Sequence, residues 1–235
     1  MENGYKMMRD CVYHNPHLLG HIKDPKLLKI ADNLLPERTG IEFSVEVENF
    51  SKLYKLWRND VVKTMNYTRH PAPEFQVQLY NGIKGMKGLY DTCKALKKES
   101  SLNMAAGLHY HCNLSKLTKF IEKNELQDRI LTIQSKVFYN TPKGEHILKS
   151  LNSWNYEGEY NHRGLTFQPN CAKNKWIVLR TFFPEWDVRQ TEYTLEFRIA
   201  SMKFDYTSIL KEIIQAHRLA NYYTKEIITF CNKSL

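Results

Sequence analysis

Three short stretches of this chain alternate polar and apolar side chains with a period of two, and that rhythm constrains the fold most. They are Phe43-Ser44-Val45-Glu46-Val47-Glu48, Gly107-Leu108-His109-Tyr110-His111 and Leu195-Glu196-Phe197-Arg198-Ile199. A β-strand puts residues i and i+2 on the same face. Glu46 therefore projects with Glu48, His109 with His111, and Glu196 with Arg198. Three such strands in one sheet form a polar surface of carboxylates, imidazoles and a guanidinium. Those are the ligands and counter-charges needed to hold divalent cations against phosphate.

With 235 residues, 42% of them hydrophobic, the chain can bury a full core, and one large domain is favoured over two small ones. Its 14 Tyr and 11 Phe suit a substantial sheet rather than a coiled coil. No run approaches the ~18 consecutive apolar residues of a membrane helix, so no membrane partner is expected. The start, Met1-Glu2-Asn3-Gly4-Tyr5, does not read as a signal peptide, which gives a cytoplasmic expectation. Five cysteines without paired spacing (Cys11, Cys93, Cys112, Cys171, Cys231) read as free thiols. The formal net charge of +9 serves solubility or attraction to an anionic partner. Because lysines are scattered, without an Arg-rich tail or an aromatic-interleaved basic motif, specific nucleic-acid recognition is not supported at this level.

Residues 1–38 read as an N-terminal helical extension broken at Pro16, Pro25 and Pro36, and 39–235 as the main domain. A strand is expected from Thr39 to about Asn49, then a helix from Phe50 to about Met65 with Leu53, Leu56, Trp57 and Val61 at helical spacing. Glu74 to Tyr80 alternates as a half-buried strand, and a helix follows from about Lys84 to Lys98. Ser115 is expected to cap one long helix with Leu117, Phe120, Ile121, Ile130, Ile133 and Val137 on its core stripe. Three strands, 164–169, 175–183 and 192–202, precede a final helix from Ser208 to Cys231 that Asp205 or Thr207 starts. This order is α+β, most simply a curved antiparallel sheet with helices packed on its opposite face.

These blocks resemble the amidoligase family, carboxylate–amine ligases of phage and bacteria related to glutamine synthetase and glutamate–cysteine ligase. Phe43 to Glu48 resembles the family's opening Phe-Gly-Val-Glu-Ile-Glu strand. Glu74-Phe75-Gln76, leading into Gly82, Gly85 and Gly88-Leu89, resembles the second block. Gly107 to His111 resembles the Gly-x-His-x-His strand, and Tyr193 to Ile199 the closing Ile-Glu-Phe-Arg block. The four lie in the family's order over roughly residues 40–225. The resemblance implies a glutamine synthetase-like fold and an enzyme that spends ATP, with Mg²⁺ or Mn²⁺, to activate a carboxylate as an acyl phosphate and pass it to an amine.

On that reading Glu46, Glu48 and Glu196 are the main metal ligands, with His109 as the imidazole ligand and Glu74 as an additional carboxylate. Arg198 steadies a phosphoryl group or a substrate carboxylate. His111 binds substrate or takes a proton from the attacking ammonium. Arg163 and Arg180 are further candidates for the same anion. Expected partners are a nucleotide and the carboxylate and amine substrates, a peptide, amino acid or modified macromolecule; oligomeric state stays open. Two features depart from the pattern: Ser44 stands where the family has Gly, and Gln76 and Gln78 leave Glu74 as the only acid of its strand. Glu42 is an extra acid sharing a face with Glu46. The alternative reading is a non-catalytic member of the same fold, serving assembly or an anionic partner. Cys11, His14, His17 and His21 match no standard zinc spacing.

Overall fold

Proline punctuation sets the first boundaries. In a computed structural model, which describes residues 2–69, 73–102, 107–151, 177–182 and 192–234, helix α1 (Glu2–Tyr13) ends before a 3₁₀ turn over Pro16–His21. Helix α2 (Pro25–Leu34) then begins on Pro25, whose missing N–H falls where no helical partner exists. The Asp24 carboxylate caps it by accepting from the Lys26 N–H at 2.8 Å.

These helices belong to the first of two compact units, Met1–Leu108 with Met202–His217. Here β1 (Thr39–Phe43) pairs antiparallel with β4 (Glu74–Leu79), which pairs antiparallel on its other side with β3 (Thr64–Thr68). The predicted alternation holds: Ile41, Phe43, Phe75, Val77 and Leu79 face the core. The strand expected over 39–49 breaks at Ser44, because its halves take different partners. While β1 pairs with β4, β2 (Val45–Val47) pairs with β5 (Ser100–Leu102) in a separate two-stranded sheet. Ser44 Oγ donates to the Gly107 carbonyl at 3.0 Å between those halves.

The helix expected over 50–65 is also divided. Two four-residue helices, α3 (Phe50–Leu53) and α4 (Lys55–Arg58), bury Leu53 and Leu56. The Leu56 carbonyl then accepts from both Val61 and Val62 N–H groups, and Asp60 adopts the left-handed φ of 54°. That closes the helix and releases Thr64–Thr68 to become β3, a strand the helical spacing of the apolar residues concealed.

Helix α5 (Gly82–Glu99) carries the three glycines noted in the sequence, and each has a steric reason. Gly82 has a positive φ of 57° beside the Asp32 side chain. A Cβ on Gly85 would collide with the Tyr80 carbonyl and with Leu35, and one on Gly88 would meet the Val61 carbonyl at 2.5 Å. Met86, Leu89, Cys93 and Leu96 pack into the core thereby brought close.

The second unit comprises His109–Ser201 and Arg218–Leu235. Its strands are β6 (Gly107–Asn113, from His109 onward), β7 (Ile177–Phe182) and β8 (Glu192–Ser201), in the order β6-β8-β7. β7 and β8 are antiparallel, with Val178 opposite Glu196. Instead of one long helix, α6 (Ser115–Lys123) and α7 (Ile130–Phe138) flank a turn in which Glu125 has a φ of 51°. Asn124 ends α6 by donating its side-chain amide to the Phe120 carbonyl at 2.7 Å, and Ser115 is its first helical residue, not its cap. After α8 (Pro142–Leu151), the last helix, α9 (Tyr206–Ser234), opens where Asp205 accepts from the Ser208 N–H at 2.7 Å. In its second part Tyr223 stacks on Phe138 with ring centres 4.8 Å apart and donates to Gln134 Oε1 at 2.5 Å. The strand expected over 164–169 lies outside the described residues. Both units mix helices with antiparallel strands, the α+β class. Among the described residues, no helix is long and apolar enough to cross a membrane, and Cys11, Cys93, Cys112 and Cys231 are free thiols.

Two stability predictions follow from buried contacts of the first unit. Gly85→Ala lowers stability by about 1–3 kcal/mol, read as a reduced urea midpoint, because backbone must shift to admit the methyl group. His217 of α9 is only 3% exposed, and its Nε2 lies 2.7 Å from Thr39 Oγ1. Burial pulls its pKa down from 6.5 to about 4. The neutral ring is therefore the folded form, and the unfolded chain binds the extra proton between these values. Stability is full above pH 6.5 and falls as pH drops toward 4, by roughly 3 kcal/mol. Urea midpoints measured against pH show this slope, and His217→Gln flattens it.

Candidate functional site

β8 is buried on both faces along Tyr193–Phe197, so any polar group there must be satisfied by protein or ligand. Alternation sends Tyr193, Leu195 and Phe197 to one side, and Glu192, Thr194, Glu196 and Arg198 to the other. On β6 the same rule buries Tyr110 and Cys112 and leaves His109, His111 and Asn113 on the opposite face.

The two polar faces meet. Asn113 donates its side-chain amide to Glu192 Oε2 at 3.1 Å, while His109 Nδ1 lies 3.7 Å from Glu196 Oε1. Contacts thus run in opposite order along β6 and β8, as between antiparallel strands. His111 Nε2 is 4.0 Å from the same Glu196 oxygen. Arg198 NH1 donates to it at 2.6 Å, an ion pair within one strand where Glu-x-Arg ordinarily suggests a cross-strand pair. Glu196 is 1% exposed, whereas both imidazoles and the guanidinium reach the surface in part. A carboxylate this deep depends on its countercharge, and truncating it would remove the anion that Arg198 NH1 meets at 2.6 Å.

This donor set can be tested against a divalent ion. Separations of 3.7 and 4.0 Å are too long for hydrogen bonds. They slightly exceed the about 3–3.5 Å between two ligands bound to one ion at about 2.1 Å each. A small side-chain adjustment therefore suffices, and His109 and Glu196 belong together as metal-capable donors. Thr194 strengthens the fit: its Oγ1 is buried and has no hydrogen-bond partner among the described residues, though it shares the face of Glu196 and Arg198. A carboxylate with an imidazole is a mixed nitrogen–oxygen set, better suited to Mn²⁺ or a similar transition ion than to Mg²⁺, which prefers oxygen.

The remaining expected residues lie as follows. Glu46 and Glu48 are both exposed in the first unit, Glu46 on β2 opposite Ser101 and Glu48 just after it, with its N–H donating to the Glu99 carbonyl at 2.9 Å. Glu74, also in the first unit, sits at the start of β4. There the Gln76 side-chain amide lies 3.5 Å from Glu74 Oε2 and 3.3 Å from Glu42 Oε1. Arg180 is on β7 in register with Thr194. Arg163 lies outside the described residues. Sequence reasoning passed over Thr194, Asn113 and Glu192; continuing the two-residue rhythm back from Glu196 and on from His111 would have found them.

No family model and no curated protein matches this sequence.

The geometry predicts that Mn²⁺ binds and that Glu196→Gln and His109→Ala each weaken it by about tenfold or more. Electron paramagnetic resonance of free Mn²⁺ during titration measures this. Mg²⁺ should compete poorly.

Proposed function

We propose that the protein is an ATP-dependent carboxylate–amine ligase with a glutamine synthetase-like fold, using Mn²⁺ in preference to Mg²⁺. The observation that carries this reading is the buried Glu196 carboxylate, met at one oxygen by Arg198 and faced by His109 and His111. Joining a phosphoryl group to a carboxylate brings two anions together, so catalysis is largely positioning and charge neutralisation. A cation held by Glu196 and His109 would supply Lewis-acid neutralisation of the charge that builds up on the phosphate.

Within this reading the side chains take distinct roles. Glu196 and His109 hold the ion. Arg198, fixed by its bond to Glu196, points a preorganised fork at the phosphoryl group or the acyl oxygen. His111 accepts a proton from the incoming ammonium, which must become a neutral amine to attack. Thr194 offers a hydroxyl to the ligand from the same face. Glu46, Glu48 and Glu74 remain proposed carboxylate ligands within the first unit, and Arg163 and Arg180 proposed contacts of the substrate anion.

A second reading, a non-catalytic member of the same fold, is favoured by Gln76. Its amide stands between Glu42 and Glu74, joining two carboxylates that would otherwise call for a cation. Isothermal titration separates the two. A ligase gives saturable heat for ATP with Mn²⁺ in the wild type, at least about tenfold weaker in Arg198→Met. No heat in either protein, in the presence of excess metal, discards the ligase reading.

A further inference from the structure

Outside this site, the short helices of the first unit carry a row of aromatic rings on the surface. Leu53 and Leu56 anchor α3 and α4 to the core, which turns the intervening residues outward. Tyr54 is 39% exposed and Trp57 45%. Their ring centres are 5.1 Å apart; Phe50 lies 6.3 Å from Tyr54 and stacks on Tyr67 of β3 at 5.6 Å with planes 24° apart. Tyr67 Oη accepts from the Val47 N–H at 3.0 Å, tying the far end of the row to β2. The row is therefore braced at its base and open at Trp57.

Its charge is arranged with equal clarity. Lys52 is neutralised by Glu99 at 2.9 Å. Asp60, the nearest acid in sequence, is engaged by Lys84 and Tyr80. Lys55 and Arg58 are exposed, and neither makes an ion pair among the described residues. Two uncommitted cations thus interleave with two exposed rings over Tyr54-Lys55-Leu56-Trp57-Arg58. Packing supplies this pattern: read as one amphipathic helix, the same stretch gives Trp57 to the core.

We infer that this ledge binds single-stranded nucleic acid, with a base stacked on Trp57 and backbone phosphates on Lys55 and Arg58. A single strand offers what the ledge lacks, flat π faces with a negative charge between them. A duplex hides its base faces, an acidic peptide brings charge without regular flat rings, and a neutral sugar brings no charge. The net charge of +9 favours approach of a polyanion. The inference is independent of the ligase reading.

Fluorescence anisotropy of the full chain with labelled oligo-dT and oligo-U of about 12 nucleotides tests it. Trp57→Ala should weaken binding by about tenfold or more. Lys55→Ala with Arg58→Ala should flatten the dependence of log affinity on log salt by about 1.4. Unlabelled strand should displace the probe far better than a duplex or heparin. Far-ultraviolet circular dichroism confirms that the variants, all at exposed positions, remain folded. Unchanged affinity in Trp57→Ala, equal competition by heparin or duplex, or no binding at low salt overturns the inference.

Discussion

The burial of Glu196 is the constraint around which the second unit's polar face is organised. A carboxylate with 1% exposure is tolerated only while countercharge and hydrogen bonds beside it offset the cost of leaving water. Arg198, two residues along the same strand, supplies the countercharge; His109 and His111, two residues apart on β6, complete the surround. Each arrives by the same rule of strand alternation. The chemistry thus rests on secondary structure, and the buried opposite faces, with Tyr110, Cys112, Leu195 and Phe197, hold those strands rigid. Rigid elements position reacting groups better than loops do.

The first unit uses glycine for a comparable purpose. Gly85 and Gly88 let α5 lie against the Tyr80 and Val61 carbonyls, fixing the helix beside the strand β4 that precedes it. The same turn at Asp60 that ends α4 also brings Val61 to Gly88 and starts β3. Local backbone strain and close packing are therefore coupled at one junction. The outward aromatic row depends on it as well, because a continuous helix through residues 50–65 would rotate Trp57 elsewhere.

Much of this was legible in the sequence where a single period dominated. Glu74–Leu79, Gly107–Asn113 and Glu192–Ser201 alternate strictly and are strands; the proline-bounded helices near the N-terminus and the long last helix were equally plain. That Glu196 and Arg198 share a face followed from spacing alone; their ion pair within one strand did not, because Glu-x-Arg ordinarily points to cross-strand partners. What failed were places where one period masks a local break. Residues 50–65 and 115–138 keep helical spacing of apolar groups, yet Asp60 and Glu125 adopt left-handed backbone that ends the helices. Neither residue is a glycine, the strongest marker of such a turn, and the weaker signals of Asn59-Asp60 and Asn124 were masked by the helical spacing around them. At Ser44 the alternation continues unbroken while the pairing partner changes, an event governed by β4 and β5 and not by the strand itself.

The central claim is that His109 and Glu196 jointly hold a divalent ion. Crystals grown with Mn²⁺ and a non-hydrolysable ATP analogue, with diffraction recorded at the manganese edge, test it directly. The account predicts an anomalous peak within about 2.3 Å of both His109 Nδ1 and a Glu196 carboxylate oxygen. A peak bound elsewhere, with Arg198 alone still occupying Glu196, would contradict it.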